Sequence, residues 1–114
     1  MSNASSMRQA LQSIAMRNRT RREEIVARLS EVALDFEELR TELDVPVHVL
    51  DEDLRHVARS VRATGGRMKV ERPVCSDCGF RFTRETFKPP GRCPRCRSHR
   101  VAGPVLRVDP APGR

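Results

Sequence analysis

All four cysteines of this 114-residue chain lie close together, as two Cys-x2-Cys pairs with 14 residues between them. Cys75 and Cys78 form the first pair, and Cys93 and Cys96 form the second. Two residues between cysteines allow one tight turn to aim both sulfurs at one ion. The backbone N–H groups of that turn can also donate to the thiolates. The spacing therefore predicts a metal site with four sulfur ligands.

Four interpretations of the two pairs compete. Disulfides are disfavoured in a reducing compartment, and catalytic thiols usually need one reactive pair near a βαβ pattern, whereas this chain has two pairs. Rubredoxin-type iron sites use similar pairs, but rubredoxins separate them more widely and are acidic and rich in aromatic residues. This chain is basic and has no Trp or Tyr. One tetrahedral Zn²⁺ is therefore favoured, and its closed shell predicts a structural role. His99 is an alternative ligand that four cysteines make unnecessary.

The residue that follows each pair differs. Gly79 follows Cys78 and permits the positive φ that such a turn often needs. Arg97 follows Cys96 in the equivalent place, and Pro94 stiffens the turn before it. We expect the second turn to be less favourable than the first but still able to bind metal.

Apolar residues at helical spacing predict three helices before the cysteines. Ile25, Leu29 and Val32 form the apolar face of the first helix. We expect it to begin at Thr20, because Thr20 and Glu23 make a capping box.

Asp35 and Glu38 make the same pattern at the start of the second helix. The third helix should run from about Val47 to about Ala63, and Gly65-Gly66 should end it. The apolar stripe of the third helix consists of Leu50, Leu54, Val57 and Val61.

Three helices with a short turn between the second and the third match the helix-turn-helix plan. Asp44 stands in that turn where glycine is common, and Asp tolerates the left-handed conformation better than most residues. A DNA-binding version would place the exposed face of the third helix in the major groove. That face would consist of His48, Asp51, Glu52, Arg55, Arg59 and Arg62.

The acidic run Asp51-Glu52-Asp53 opposes this interpretation. Three carboxylates at the start of the third helix would lie near the phosphates and would weaken DNA binding. Acidic residues at this position also stabilise a helix N-terminus, which explains them without any function.

After Gly66 the apolar period changes to two, which predicts strands. We expect strands over residues 67–74, over residues 79–85 and over residues 100–108, the last one broken at Gly103-Pro104. The chain divides into a basic N-terminal arm or short helix (1–19), a helix-turn-helix domain (20–66), a strand plus zinc ribbon (67–108) and a disordered tail (109–114). Met7, Leu11, Ile14 and Ala15 make the first segment a candidate for homodimerisation.

The net charge of +7 is unevenly distributed: residues 1–22 carry +5, residues 23–62 carry −6, and residues 63–114 carry +8. A basic surface favours polyanions such as nucleic acid. The candidate nucleic-acid contacts are His48, Arg55, Arg59, Arg62, Arg67, Lys69, Arg81, Arg84, Arg95 and Arg97, and Lys88, Arg92 and Arg100 extend the basic surface of the cysteine region.

Several function classes are disfavoured. The chain has no apolar run of the ~20 residues that a membrane span requires, and no apolar stretch resembles a secretory signal, so we expect a cytoplasmic protein. No arrangement of nucleophile, base and acid is apparent, so we do not expect an enzyme. With four Phe and no Trp or Tyr, a specialised single-strand binder is also disfavoured.

The whole arrangement resembles a prokaryotic family of small predicted transcriptional regulators, in which a helix-turn-helix (winged-helix-like) domain is fused to a zinc ribbon. The resemblance runs from about Thr20 to about Val108. It implies an α+β fold, with a three-helix winged-helix-like unit followed by a small antiparallel β zinc ribbon. It rests on "TRREEI", "DFEEL", "DLRHVARSVR" leading into "VERPVCSDCGFRF", and "KPPGRCPRCRS".

Charge, helices and resemblance together predict a DNA-binding transcriptional regulator whose partner is duplex DNA. The alternative is an interaction adaptor, in which the helices and the ribbon dock on another protein such as transcription machinery. Binding to DNA that weakens steeply with salt would separate the two.

Overall fold

The computed structural model describes residues 3–112, with side chains from Arg17 onward. Three helices and two small antiparallel sheets give an α+β fold. The helices are α1 (Asn3–Glu31), α2 (Phe36–Leu43) and α3 (Val47–Ala63). The strands are β1 (Leu34–Asp35), β2 (Arg67–Glu71), β3 (Val74–Cys75), β4 (Val101–Ala102) and β5 (Val105–Asp109). Of the helices in this part of the chain, none has both the length and the apolar character that crossing a bilayer requires.

α1 passes through Thr20 without a break, so the predicted helix start there is wrong. Residues 3–19 are also neither a separate arm nor a separate short helix. The first proline is Pro46 and the first glycine is Gly65, so nothing upstream interrupts the helix. A cap contributes about 1 kcal/mol, which cannot stop a helix that gains a hydrogen bond with each added residue. The side chains behind the homodimer prediction (Met7 to Ala15) lie outside the described ones.

The capping box that begins α2 is confirmed. Asp35 Oδ1 accepts from the Glu38 backbone N–H at 2.8 Å, and Glu38 Oε1 accepts from the Asp35 N–H at 3.1 Å. Asp44 ends α2 in the left-handed conformation, with φ +53° and ψ +55°. Asp therefore occupies the position in the turn where glycine is common, as expected.

The predicted bounds of α3 are confirmed. Gly66 N–H donates to Val61 O at 2.9 Å and Gly65 N–H donates to Arg62 O at 3.0 Å, which is the Schellman pattern for a helix end. Gly65 has φ +88°. A Cβ on Gly66 would lie 2.8 Å from Asp109 O, so this second glycine lets β5 pass close to the end of α3.

The larger sheet has the order β1-β5-β2, and both pairings are antiparallel. Its central strand, β5, places Leu106 opposite both Leu34 and Val70. The core formed by the helices and this sheet contains Ile25, Leu29, Leu34, Phe36, Leu39, Leu50, Leu54, Val57, Val61, Leu106 and Val108. Val32, expected on the buried face of α1, is 40% exposed, because α1 ends one residue before it.

β2 and β5 therefore belong to the helical body, which we define as α1–α3 with β1, β2 and β5. The predicted boundary after Gly66 misplaces them. The ribbon, residues 72–104, is an insertion between β2 and β5, whose last paired residues are Glu71 and Val105. The predicted tail is also too long at its start, because Asp109 is the last residue of β5 and forms an ion pair with Lys69 at 2.8 Å.

Within the ribbon, the predicted strand over residues 79–85 is absent. The described residues there form only an isolated bridge between Val74 and Arg81. Phe80 and Phe82 contact each other edge to face, with ring centroids 5.2 Å apart. The predicted break at Gly103-Pro104 is confirmed, because it separates β4 in the ribbon from β5 in the body.

Candidate metal centre and basic surfaces

The two cysteine pairs form equivalent turns. In each turn, the backbone N–H of the residue after the second cysteine donates to the carbonyl oxygen of the first cysteine. The N–H of the first cysteine donates to the carbonyl oxygen of the residue two positions after the second cysteine. The bonds are Gly79 N to Cys75 O (2.9 Å) and Cys75 N to Phe80 O (2.9 Å), with Arg97 N to Cys93 O (2.8 Å) and Cys93 N to Ser98 O (2.9 Å). This equivalence directs all four sulfurs to one point between the turns.

The sulfur positions fit a tetrahedral ion. Cys75 Sγ lies 3.5 Å from Cys96 Sγ, and Cys78 Sγ lies 3.7 Å from Cys93 Sγ. All four sulfurs lie within 4.8 Å of one another. Zinc–sulfur bonds of about 2.3 Å in a tetrahedron separate the sulfurs by about 3.8 Å. The four cysteines can therefore hold one metal ion, as the sequence predicted, and no fifth ligand is needed.

The chemistry of the thiols also favours a cation. Burial disfavours the Cys93 thiolate, but its sulfur accepts from the backbone N–H groups of Cys96 and Arg95 and from neighbouring thiols, which lowers its pKa to about 7. The Ser98 N–H favours the Cys96 thiolate, but burial and the three neighbouring sulfurs outweigh it and raise its pKa to about 12. A divalent cation removes this conflict because it stabilises every thiolate at once.

Arg97 carries the strain expected of the second turn. Its φ is +63°, and the equivalent Gly79 has φ +77°. A non-glycine residue in this region costs about 1–2 kcal/mol. The turn therefore forms in spite of Arg97, with the hydrogen bonds of the turn holding the backbone in place.

Side-chain bonds join the two turns around the sulfurs. Asp77 in the first turn accepts from Ser98 Oγ after the second turn, and forms a 3.9 Å ion pair with Arg100. His99 Nδ1 lies 2.9 Å from Gly91 O, and His99 is not part of the sulfur cluster. No spacing pattern in the sequence marks Asp77, which only the folded arrangement brings next to Ser98.

The three carboxylates of the acidic run on α3 do not all face outward, in contrast to the prediction. Asp53 is only 1% exposed and its carboxylate bonds to Arg21 and Arg22 of α1, the second at 2.8 Å. It joins α1 to α3 and does not lie on the exposed face. Asp51 forms a 3.0 Å ion pair with Arg55, which leaves Glu52 as the exposed carboxylate of the run without an ion pair among residues 17–112. A sequence signal existed, because Asp53 lies three residues after Leu50 and four before Val57, on the apolar stripe.

The ten predicted nucleic-acid contacts are all exposed, but they do not form one cluster. His48, Arg55, Arg59 and Arg62 lie on α3, whereas Arg67 and Lys69 lie on β2. The remaining four, Arg81, Arg84, Arg95 and Arg97, lie in the ribbon.

Basic side chains of the body and the ribbon differ in their ion pairing. Of the twelve basic residues in residues 17–71 and β5, seven form ion pairs among the described residues: Arg21, Arg22, Arg28, Arg40, Arg55, Lys69 and Arg107. Of the eight in the ribbon, Arg100 alone has a partner among the described residues. The other seven are exposed: Arg72, Arg81, Arg84, Lys88, Arg92, Arg95 and Arg97.

This chain is similar to one family model and to one solved structure. A family model described as "PF0610-like, N-terminal" matches residues 20–69. The solution NMR structure of protein PF0610 from Pyrococcus furiosus is 30% identical in sequence and has a TM-score of 0.67. That similarity covers 79% of this chain and 89% of the other. No curated protein matches. The family model covers most of the helical body and the structural similarity extends well beyond it, so the chain belongs to the PF0610-like family.

Proposed function

We propose that this protein binds duplex DNA as a small transcriptional regulator, and that its ribbon makes most of the phosphate contacts. In this proposal α2 and α3 form a helix-turn-helix within a winged helix. The element order α1-β1-α2-α3-β2-β5 and the sheet order β1-β5-β2 support it, because a winged helix has the same order. The ribbon then occupies the hairpin position that forms the wing.

The observation that carries the proposal is the contrast in ion pairing. Ion pairs within the body occupy most of its basic side chains, whereas seven exposed basic side chains of the ribbon have no such partner among residues 17–112. The ribbon contains eight basic and two acidic residues. Four thiolates with one Zn²⁺ contribute −2, so a strongly positive lobe of about +4 results. Such a lobe attracts phosphates and gains affinity when counterions are released.

The placement of Asp53 removes much of the objection to a reading role for α3. One carboxylate of the acidic run is buried against α1, and a second is paired with Arg55. The exposed face of α3 therefore keeps Arg59 and Arg62 free of ion pairs among the described residues, with Glu52 as its one carboxylate lacking such a pair. Glu52 near the N-terminus of α3 is suited to accept from a cytosine amino group.

We also propose that the metal is one structural Zn²⁺. When bound, Zn²⁺ would neutralise thiolate charge and link the two turns. The residues that hold it are Cys75, Cys78, Cys93 and Cys96. Metal analysis of the purified protein tests this point: zinc at one ion per chain and no colour support it, whereas a red protein containing iron refutes it.

A salt titration tests the DNA proposal. The metal-loaded protein is added to a labelled duplex of random sequence, and its affinity is measured by fluorescence anisotropy at increasing salt concentration. We expect log affinity to fall linearly with log salt, by a slope of about 0.9 for each phosphate contacted. Absence of binding at low salt would overturn the proposal and leave the adaptor interpretation.

A further inference from the structure

A groove between the body and the ribbon lies apart from the metal centre. Its volume is about 490 Å³, and it is lined by α3, β2 and the ribbon loop between the cysteine pairs. This volume falls within the range of small-ligand sites. The lining residues on which the argument depends are Arg62, Arg67, Met68, Val70, Glu85 and Phe87.

The groove has an apolar part. Met68, Val70 and Phe87 are all half-buried and pack against the core of the body. Phe87 is notable because it belongs to the ribbon, whereas the other half-buried apolar side chains that pack against that core lie between residues 26 and 70. An apolar group of a ligand would contact these three side chains and lose part of its exposure to water.

The groove also has charges of both signs. Arg62 from α3 and Arg67 from β2 supply two guanidinium groups, and Glu85 from the ribbon supplies a carboxylate. All three residues are exposed, and none has an ion pair among residues 17–112. A ligand that pairs with both guanidinium groups needs an anionic group, such as a carboxylate, and one that pairs with Glu85 needs a cationic group.

From this combination we infer that the groove binds a free α-amino acid with an apolar side chain. Its carboxylate pairs with Arg62 and Arg67, its ammonium group pairs with Glu85, and its side chain contacts Met68, Val70 and Phe87. The groove is much larger than one such side chain, so water fills the rest. This inference does not depend on DNA binding, and the two can fail separately.

The probe is L-leucine, titrated into the metal-loaded, ¹⁵N-labelled full chain while ¹H–¹⁵N spectra are recorded. Ala58 and Gly66 also line the groove. We expect saturable shifts of their amides and of the Phe87 amide, with a Kd below about 10 mM. Three relatives of leucine each lack one group: leucinamide has no carboxylate, 4-methylpentanoate has no ammonium group, and glycine has no apolar side chain. Each should bind at least about threefold more weakly than leucine, as loss of one exposed ion pair or one apolar contact predicts.

Variants assign the groups to residues. Arg62→Gln should weaken leucine binding about three- to fivefold, whereas Arg59→Gln, one helical turn earlier on α3 and outside the groove, should not change it. In Glu85→Gln the advantage of leucine over 4-methylpentanoate should disappear. The inference is overturned if leucine produces no saturable shift at these amides, if glycine binds as well as leucine, or if Glu85→Gln leaves that advantage intact.

Discussion

Replacing Asp53 with Asn should destabilise the protein far more than the same change at Asp51. Asp53 is 1% exposed and bonds to two arginines, which are themselves only 20% and 23% exposed. Removing one partner of a buried ion pair costs about 3–5 kcal/mol, because the remaining charge stays buried without compensation. Arg21 and Arg22 recover some hydration, and Asn still accepts one hydrogen bond. We therefore expect a loss of about 2–3 kcal/mol for Asp53→Asn.

The assay is urea unfolding of the metal-loaded protein, followed by the helical circular dichroism signal. Asp51→Asn is the matched control, two residues earlier on the same helix. Its partner Arg55 is 67% exposed, so the control should cost less than about 1 kcal/mol. A double-mutant cycle with Arg22→Gln should give a coupling energy above about 1 kcal/mol between Asp53 and Arg22. Equal losses for Asp53→Asn and Asp51→Asn would refute the idea that Asp53 holds α1 against α3.

Three further predictions concern the ribbon. Removing the metal with a chelator should abolish the dispersed ribbon signals in ¹H–¹⁵N spectra but keep the helical circular dichroism signal. The helices should persist because no member of the buried core lies between Val61 and Leu106. Loss of the helices as well would contradict the division into body and ribbon. Replacing residues 72–104 with Asn-Gly should leave a body that unfolds cooperatively in urea, because Glu71 and Val105 are paired residues that a two-residue turn can join. A molten or insoluble product would count against an independently folded body. Arg97→Gly should strengthen metal binding in a chelator competition by up to about 1 kcal/mol, since it relieves the positive φ, whereas Arg97→Ala keeps the strain and should give no such gain; equal gains would disprove this explanation.

The sequence predicted local features well where one interaction decides them. The capping box at Asp35 and Glu38 works because α1 has already ended, whereas the same pattern at Thr20 and Glu23 lies inside a longer helix and has no free N-terminus to cap. Local capping signals do not reveal this competition, because it depends on the residues upstream.

The candidate metal site was predictable for a similar reason. The Cys-x2-Cys spacing determines the geometry of each turn, so the grouping of Cys75, Cys78, Cys93 and Cys96 followed from the sequence. The surroundings of the site did not follow, since the contact between Asp77 and Ser98 depends on how the two turns face each other. The period-two pattern indicated β2 and β5, but it could not show that they pair with each other across the ribbon.

The burial of Asp53 required knowledge of two helices at once. A carboxylate on an apolar stripe is predicted to be exposed unless a cationic partner is known to reach it. That partner is supplied by Arg21 and Arg22, more than 30 residues away in sequence. Contacts between distant segments are therefore the part of this fold that the sequence patterns leave undetermined.

In the proposed function, the ribbon makes most of the phosphate contacts. The most direct test compares the salt dependence of DNA affinity for the wild type with that of two double variants, each metal-loaded. Arg81→Gln with Arg95→Gln removes two exposed ribbon charges, while Arg40→Gln with Arg107→Gln removes two body charges that are already in ion pairs. We expect the ribbon variant to lose about two units of the log–log slope, with its fold intact by ¹H–¹⁵N spectra, and the body variant to keep the wild-type slope. A ribbon variant whose slope and affinity equal those of the wild type would refute the assignment of these contacts to the ribbon.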